Sequence, residues 1–161
     1  MLIRLGAYGI FALVRTLAID FGSKRVGLAM SDQGGKFATP LEVVEISSPQ
    51  NAIERIVALA KRELVERLLV GLPLNMDDTI GPRAQQTIAW GRELAARANL
   101  PLVFVDERLS SFAAEQSLIE RKRGGERITR KQKKRRLDAH AAAGFLQAFL
   151  DGKLSAFRVD N

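Results

Sequence analysis

The chain has no cysteine, one histidine, one tryptophan and no long apolar run among its 161 residues. Without cysteine, disulfides and thiolate metal sites are both excluded, as suits a protein of the cytoplasm. The opening stretch MLIRLGAYGIFALV comes nearest to a membrane segment. It is shorter than the ~20 residues a spanning helix needs, and no small-residue cleavage site follows it. It is expected to be an extension, residues 1–14, ahead of the first core strand, with no membrane partner. Internal repeats are lacking. The one low-complexity stretch is basic.

What is present is an ordinary globular balance, 47% hydrophobic and 27% charged, in a length that suits one domain with a real core. The net charge of +7 is concentrated in one place. Residues 121–136, RKRGGERITRKQKKRR, hold ten Lys or Arg against one Glu. From totals of 25 basic and 18 acidic residues, that leaves 15 against 17 for the rest. A mildly acidic body with one strongly basic segment points to an anionic partner, nucleic acid above all. Repulsion among ten cations beside Gly124-Gly125 is expected to keep 121–136 mobile until a partner binds.

The pattern of elements predicts an α/β fold. LAIDFGSKRVGLAMSD, residues 17–32, reads as strand, turn, strand, and KFATPLEVVEI, 36–46, as a third strand returning antiparallel. Residues 49–63 carry Ile53, Ile56, Val57 and Ala60 at helical spacing. A short strand at 68–70 follows, then a helix over 82–98 with Pro82 in its first turn. A strand over 100–107, a helix to about Glu120 capped by Ser110 or Ser111, and a last helix over about 135–150 complete the order. Three meandering strands followed by alternating helices and strands imply a five-stranded mixed sheet, antiparallel then parallel, with helices on both faces.

Functional groups of open α/β sheets collect beyond the carboxyl ends of strands. Asp20 lies near one such end and the pair Asp106-Glu107 near another. A carboxylate there needs a partner, because burying it alone is very costly. For Asp20 the choices are Lys24 and Arg25, turn amides, or a metal ion. On the last helix Asp138, Ala141, Ala142, Phe145 and Phe149 share one face, which puts Asp138 at the inward edge of a packing stripe. Acids from three elements converging at one sheet end would suit one or two hard cations, Mg2+ or Mn2+, and phosphodiester hydrolysis. Each acid also has an ordinary alternative in a local ion pair or a helix cap. Asn75, Thr79 and Arg83 beside a helix N-terminus make a candidate phosphate site. Arg108 either meets substrate phosphate or holds Asp106 or Glu107. His140 lies off the face of Asp138 and is expected at the surface.

Four ordered stretches, LAIDFGSKRVGLAMSD, LLVGLPLNMDDTIGPRA, VFVDERLSSFAAEQSL and RLDAHAAAGFLQAFLDG, resemble the motifs of the YqgF/RuvX family. These are bacterial ribonuclease-H-like proteins, described as Holliday junction resolvases or as nucleases that mature small-subunit ribosomal RNA. The resemblance runs from about Thr16 to Gly152. It implies an RNase H-like fold and a divalent-metal-dependent nuclease site with Asp20, Glu107 and Asp138 as ligands. Asp20 then faces metal. RuvC-type resolvases of this superfamily carry a fourth acid three residues beyond the one on the last helix. This chain has Ala141 there, leaving Asp106 or water to fill the place.

The expected partner is structured nucleic acid, branched DNA or precursor ribosomal RNA. It would be contacted by Lys24, Arg25, Asn75, Arg83 and Arg108, and by Arg130, Lys131, Lys133, Lys134 and Arg135 of the basic segment. Two other classes compete. A non-catalytic nucleic-acid-binding module would not need three intact acids, and a nucleotide-binding ATPase of the actin and sugar-kinase type would need a second domain. A monomer or weak homodimer is expected. The apolar residues Leu5, Tyr8, Ile10 and Phe11, with Trp90 where it is exposed rather than core, are the candidate dimer contact or else cover a core edge within one chain.

Overall fold

Strand alternation sorts the core into two layers. The structure, a computed structural model, describes residues 5–6, 9–10, 13–108 and 130–159, with backbone alone at 5–6, 9–10 and 130–137. The extension holds a minimal antiparallel ladder, β1 (Leu5–Gly6) with β2 (Gly9–Ile10). The main sheet comprises β3 (Thr16–Phe21), β4 (Arg25–Ser31), β5 (Ala38–Glu45), β6 (Arg67–Leu72) and β7 (Leu102–Asp106), in the order β5-β4-β3-β6-β7. The first three strands pair antiparallel, while β6 joins β3, and β7 joins β6, in parallel. That is the mixed, five-stranded arrangement the pattern predicts.

Leu17, Ile19, Val26, Leu28, Leu68, Val70 and Phe104 point to one face and meet α1 (Pro49–Arg62) and α2 (Pro82–Ala98) through Ile53, Ile56, Ile88 and Leu94. Ser48 caps α1 by accepting from the Asn51 amide at 3.1 Å. Asn99, in the left-handed region at φ 53°, ends α2. The other face is built from the intervening residues, Ala18, Ala29, Leu69 and Val105, and packs on Ala142, Phe145, Leu146 and Phe149 of α3 (Arg130–Leu150). Small residues on this face let α3 lie close to the sheet. The segment after α3 covers the outer strand, with the Phe157 amide donating to the Phe104 carbonyl at 2.7 Å, which protects an otherwise open edge.

Three features go beyond the sequence reading. Helix α3 begins at Arg130 rather than near Arg135, so nearly half the basic stretch is helical. Lys, Arg and Gln are good helix formers, and no Gly or Pro interrupts 130–136. The remainder of that stretch, and the helix expected to reach Glu120, lie outside the described residues. Trp90, which the sequence leaves between core and an exposed apolar contact, is 5% exposed and belongs to the core. Its ring stacks on Phe21, with centroids 4.2 Å apart, and Nε1 donates to the Pro49 carbonyl. Finally, the sheet buries a charge: Arg67 donates to the Thr16 hydroxyl at 2.9 Å and lies over the Phe149 ring.

Candidate active site

Because β3, β6 and β7 run parallel, their carboxyl ends meet along one edge, where β4 also begins. Asp20 stands one residue before the end of β3, opposite Gly27 of β4. It shares the parity of Ala18, so its side chain turns to the α3 face. After Phe21 the chain makes a tight turn, with the Gly22 amide donating to the Arg25 carbonyl at 2.8 Å. On β7 the even positions Leu102 and Phe104 join the α1/α2 layer and the odd positions Val103 and Val105 the α3 layer. Parity therefore separates the adjacent acids: Glu107 goes to the side of Asp20, and Asp106 goes to the opposite side. Gly71 on β6 leaves room for this, since a Cβ there would lie 3.1 Å from Glu107 Oε2 and 2.8 Å from the Phe145 ring.

Asp20, Glu107 and Asp138 thus line one cleft of about 290 Å³, together with Lys24, Arg25 and Arg83. Inside it the acids form two sub-clusters. Asp20 and Glu107 share a hydrogen bond. Asp138 instead accepts from Arg25 Nε at 2.7 Å. Among the described residues no three His, Cys, Asp or Glu side chains form a group that could hold a metal ion.

Burial and, after it, the negative charges of Glu107 and Asp138 push the Asp20 carboxyl up to about 8, against the pull of Arg83. Burial also raises Glu107, although its bond to Asp20 and the charge of Arg83 oppose that. Near neutral pH Asp20 therefore keeps its proton, the outcome expected when like charges are forced together out of water.

Asp106 is not in the cleft. Arg108 grips it, with Nε donating at 2.9 Å to Oδ1 and Nη2 at 2.6 Å to Oδ2. These bonds hold Asp106 below the usual carboxylate range and raise Arg108 further. The same guanidinium donates to the Asn75 carbonyl at 2.8 Å and pairs with Asp78. Arg108 thus pins the 75–81 loop to the end of β7, and of the expected alternatives it holds Asp106. Asp106 therefore does not take the fourth-acid place in the cleft. Asn75 is likewise turned to its own loop, donating to the Thr79 hydroxyl at 2.8 Å. His140 is half-buried on α3. Arg130, Lys131, Lys133, Lys134 and Arg135 belong to the first turns of α3, within about 12 Å of Asp138 along its axis. Their side chains lie outside the described residues.

Sequence reading missed the Arg25–Asp138 bond, having weighed Arg25 against Asp20. The two residues are 113 positions apart, and no local pattern connects them.

A pH effect follows from the raised Asp20. Folding keeps this carboxyl protonated at a pH where the unfolded chain, at its ordinary 3.8, has released the proton. The folded state then binds more protons than the unfolded one, so stability falls as pH rises between these two values. In EDTA, the wild-type melting temperature is expected to drop from pH 5 to pH 8, relative to Asp20→Asn protein, which has no carboxyl to ionise. Parallel melting curves for the two proteins would show a normal acid at this position.

Comparison with known proteins agrees with the fold. The family model RuvX, described as Holliday junction resolvase, matches residues 14–152. A Rhizobium rhizogenes protein named "Putative pre-16S rRNA nuclease" is 42% identical over 138 residues, which is 86% of this chain and 80% of its own. A Listeria monocytogenes protein of the same name is 41% identical, covering 86% of this chain and 98% of its own. Among solved structures, Thermus thermophilus RuvC in complex with a Holliday junction substrate superposes with a TM-score of 0.56 at 17% identity, covering 89% of this chain and 99% of that one. A Fowlpox virus resolvase bound to Holliday junction DNA gives 0.52 at 8% identity, over 86% and 98% of the two chains. These distant structures share the RNase H-like fold. With its mixed sheet, its acid-lined cleft and a family match over nearly all of its length, the chain belongs to the RuvX family of Holliday junction resolvases.

Proposed function

We propose that this chain is a divalent-metal-dependent endonuclease that hydrolyses phosphodiester bonds in structured nucleic acid at the cleft of Asp20, Glu107 and Asp138. The observation that carries this is the Asp20–Glu107 pair: two carboxyls held together at the cost of one ionisation, with a third acid on the cleft wall. Such a pair is unfavourable without a cation and well suited to one. The donors are all oxygen, as Mg2+ and Mn2+ prefer. One or two such ions, held by Asp20, Glu107 and Asp138, would activate a water and stabilise the leaving oxygen.

The chain's own residues supply the rest. Lys24 and Arg83 line the same cleft and offer positive charge to a phosphodiester entering it. The hydrogen bond between Asp20 and Glu107 holds a proton that must leave before both can act as anions. The basic turns at the start of α3 provide a sequence-independent hold on the phosphate backbone, sensitive to salt. Every acid and cation named comes from one chain, so a single copy suffices for one cut. The relatives named as pre-16S rRNA nucleases support a monomer or weak dimer acting at one strand, as in precursor ribosomal RNA processing, over paired nicking of a four-way junction.

The test sets purified protein against a four-way DNA junction and a structured RNA with a single-stranded extension, in Mg2+, Mn2+ or EDTA. Cleavage of at least one substrate with either metal, and of neither in EDTA, is expected. Cleavage that persists in EDTA removes the metal. Tight binding without cleavage under any condition would leave a non-catalytic nucleic-acid-binding module.

A further inference from the structure

We propose that Arg25 is an exchangeable counter-ion: it occupies Asp138 until a substrate phosphate draws the guanidinium away, so that nucleic acid and metal ion bind cooperatively. This rests on the metal-nuclease reading above. Three observations support it. First, the Asp138 carboxylate is taken up by a cation of the cleft wall, accepting from Arg25 Nε at 2.7 Å. Second, Asp20, Glu107 and Asp138 line the same cleft, yet among the described residues no three His, Cys, Asp or Glu side chains form a group able to hold a metal. Third, the Arg25 and Asp138 side chains are 20% and 29% exposed. An ion pair reached by water is weak enough to change partners, whereas a deeply buried one is not.

The geometry favours phosphate as the new partner. The bond to Asp138 uses Nε, so the Nη donors of the planar fork are not committed to it, and a guanidinium fork matches phosphate oxygens. Arg25 also sits at the base of the turn whose residues Gly22 and Lys24 line the cleft. A phosphodiester lying against that turn meets Arg25 directly. Once Arg25 has moved to phosphate, Asp138 is free to join Asp20 and Glu107 around a cation. By linkage the reverse holds with the same factor: a cation that takes Asp138 frees Arg25 for nucleic acid. The competing account makes Arg25 a permanent prop that orients Asp138. The two differ in sign, because removing a competitor tightens metal binding and removing a prop weakens it.

The experiment is calorimetric titration of Mn2+ into wild-type, Arg25→Gln and Arg25→Lys protein, alone and with a phosphorothioate oligonucleotide already bound. Without nucleic acid, Arg25→Gln is expected to bind Mn2+ roughly ten-fold more tightly than wild type, a factor in the usual range of site-to-site coupling. The oligonucleotide should raise wild-type affinity by a similar factor and leave Arg25→Gln nearly unchanged. Lysine pairs less well with a carboxylate, so Arg25→Lys should lie between the two. It decides the matter alone if the glutamine variant does not fold. Equal or weaker Mn2+ binding by the folded variants would make Arg25 a prop and overturn the proposal. Wild-type protein that binds no Mn2+ in either condition would instead remove the metal-nuclease reading, and this proposal with it.

Discussion

Asp20→Asn protein is expected to fold, to bind nucleic acid nearly as well as wild type, and to cleave nothing. Asparagine has almost the shape of aspartate, so the Ala18–Asp20 face of β3 and its packing are retained. What is lost is one of the carboxylates that, on the proposed reading, hold the cation. Metal stabilisation of transition-state charge amounts to several kcal/mol, so the rate should fall by on the order of 1000-fold or more. On the proposed reading, nucleic-acid affinity rests on Lys24, Arg25, Arg83 and the basic turns of α3, none of which is altered. Gel assays of cleavage, paired with fluorescence anisotropy for binding, separate the two. A well-folded Asp20→Asn protein at full activity, free of contaminating nuclease, would place the chemistry elsewhere.

Much of this fold is legible in the amino-acid sequence, for physical reasons that differ by element. Helix α2 begins at Pro82 and ends at Ala98 as expected, because proline suits a first turn and an apolar stripe runs its whole length. The antiparallel and then parallel pairing follows from three strands too closely linked to be anything but antiparallel, and two later ones reached through helices. Two of the acids are legible at strand ends and a third on the inward edge of the last helix, and the structure brings Asp20, Glu107 and Asp138 to one cleft. Their partners are not. Whether Asp106 or Glu107 faces the cleft depends on the register of β7, which decides the face of every side chain on it. The Arg25–Asp138 bond depends on how closely α3 lies on β4, a property of the packed molecule. Charge obscures the start of α3: a run of cations suggests mutual repulsion, yet the same residues have high helix propensity.

That close approach of α3 gives the second large effect. Gly27 is paired with Asp20 across β3 and β4, and it faces α3 with nothing beyond its backbone. A Cβ built there would collide with the Asp138 carbonyl carbon and oxygen, and would lie 2.9 Å from the Ala139 amide nitrogen. These are backbone atoms in a helix, so no rotamer change can relieve the contact. In Gly27→Ala protein α3 must move off the sheet, loosening the contacts of Ala142, Phe145 and Leu146 with Ala18, Ala29 and Leu69. Overpacking of this kind costs about 1–3 kcal/mol, occasionally more, and a rigid helix backbone puts this case at the upper end. For a chain of this size, the melting temperature should fall by roughly 5–10 °C. Activity should fall further than stability accounts for, because the displaced segment carries Asp138 away from the cleft shared with Asp20 and Glu107. Urea denaturation measures the first effect, and cleavage at a temperature where the variant remains folded measures the second. Intact cleavage in a folded but destabilised variant would mean that Asp138 need not sit where the helix now holds it. Unchanged stability would mean that α3 does not rest on β4 at Gly27.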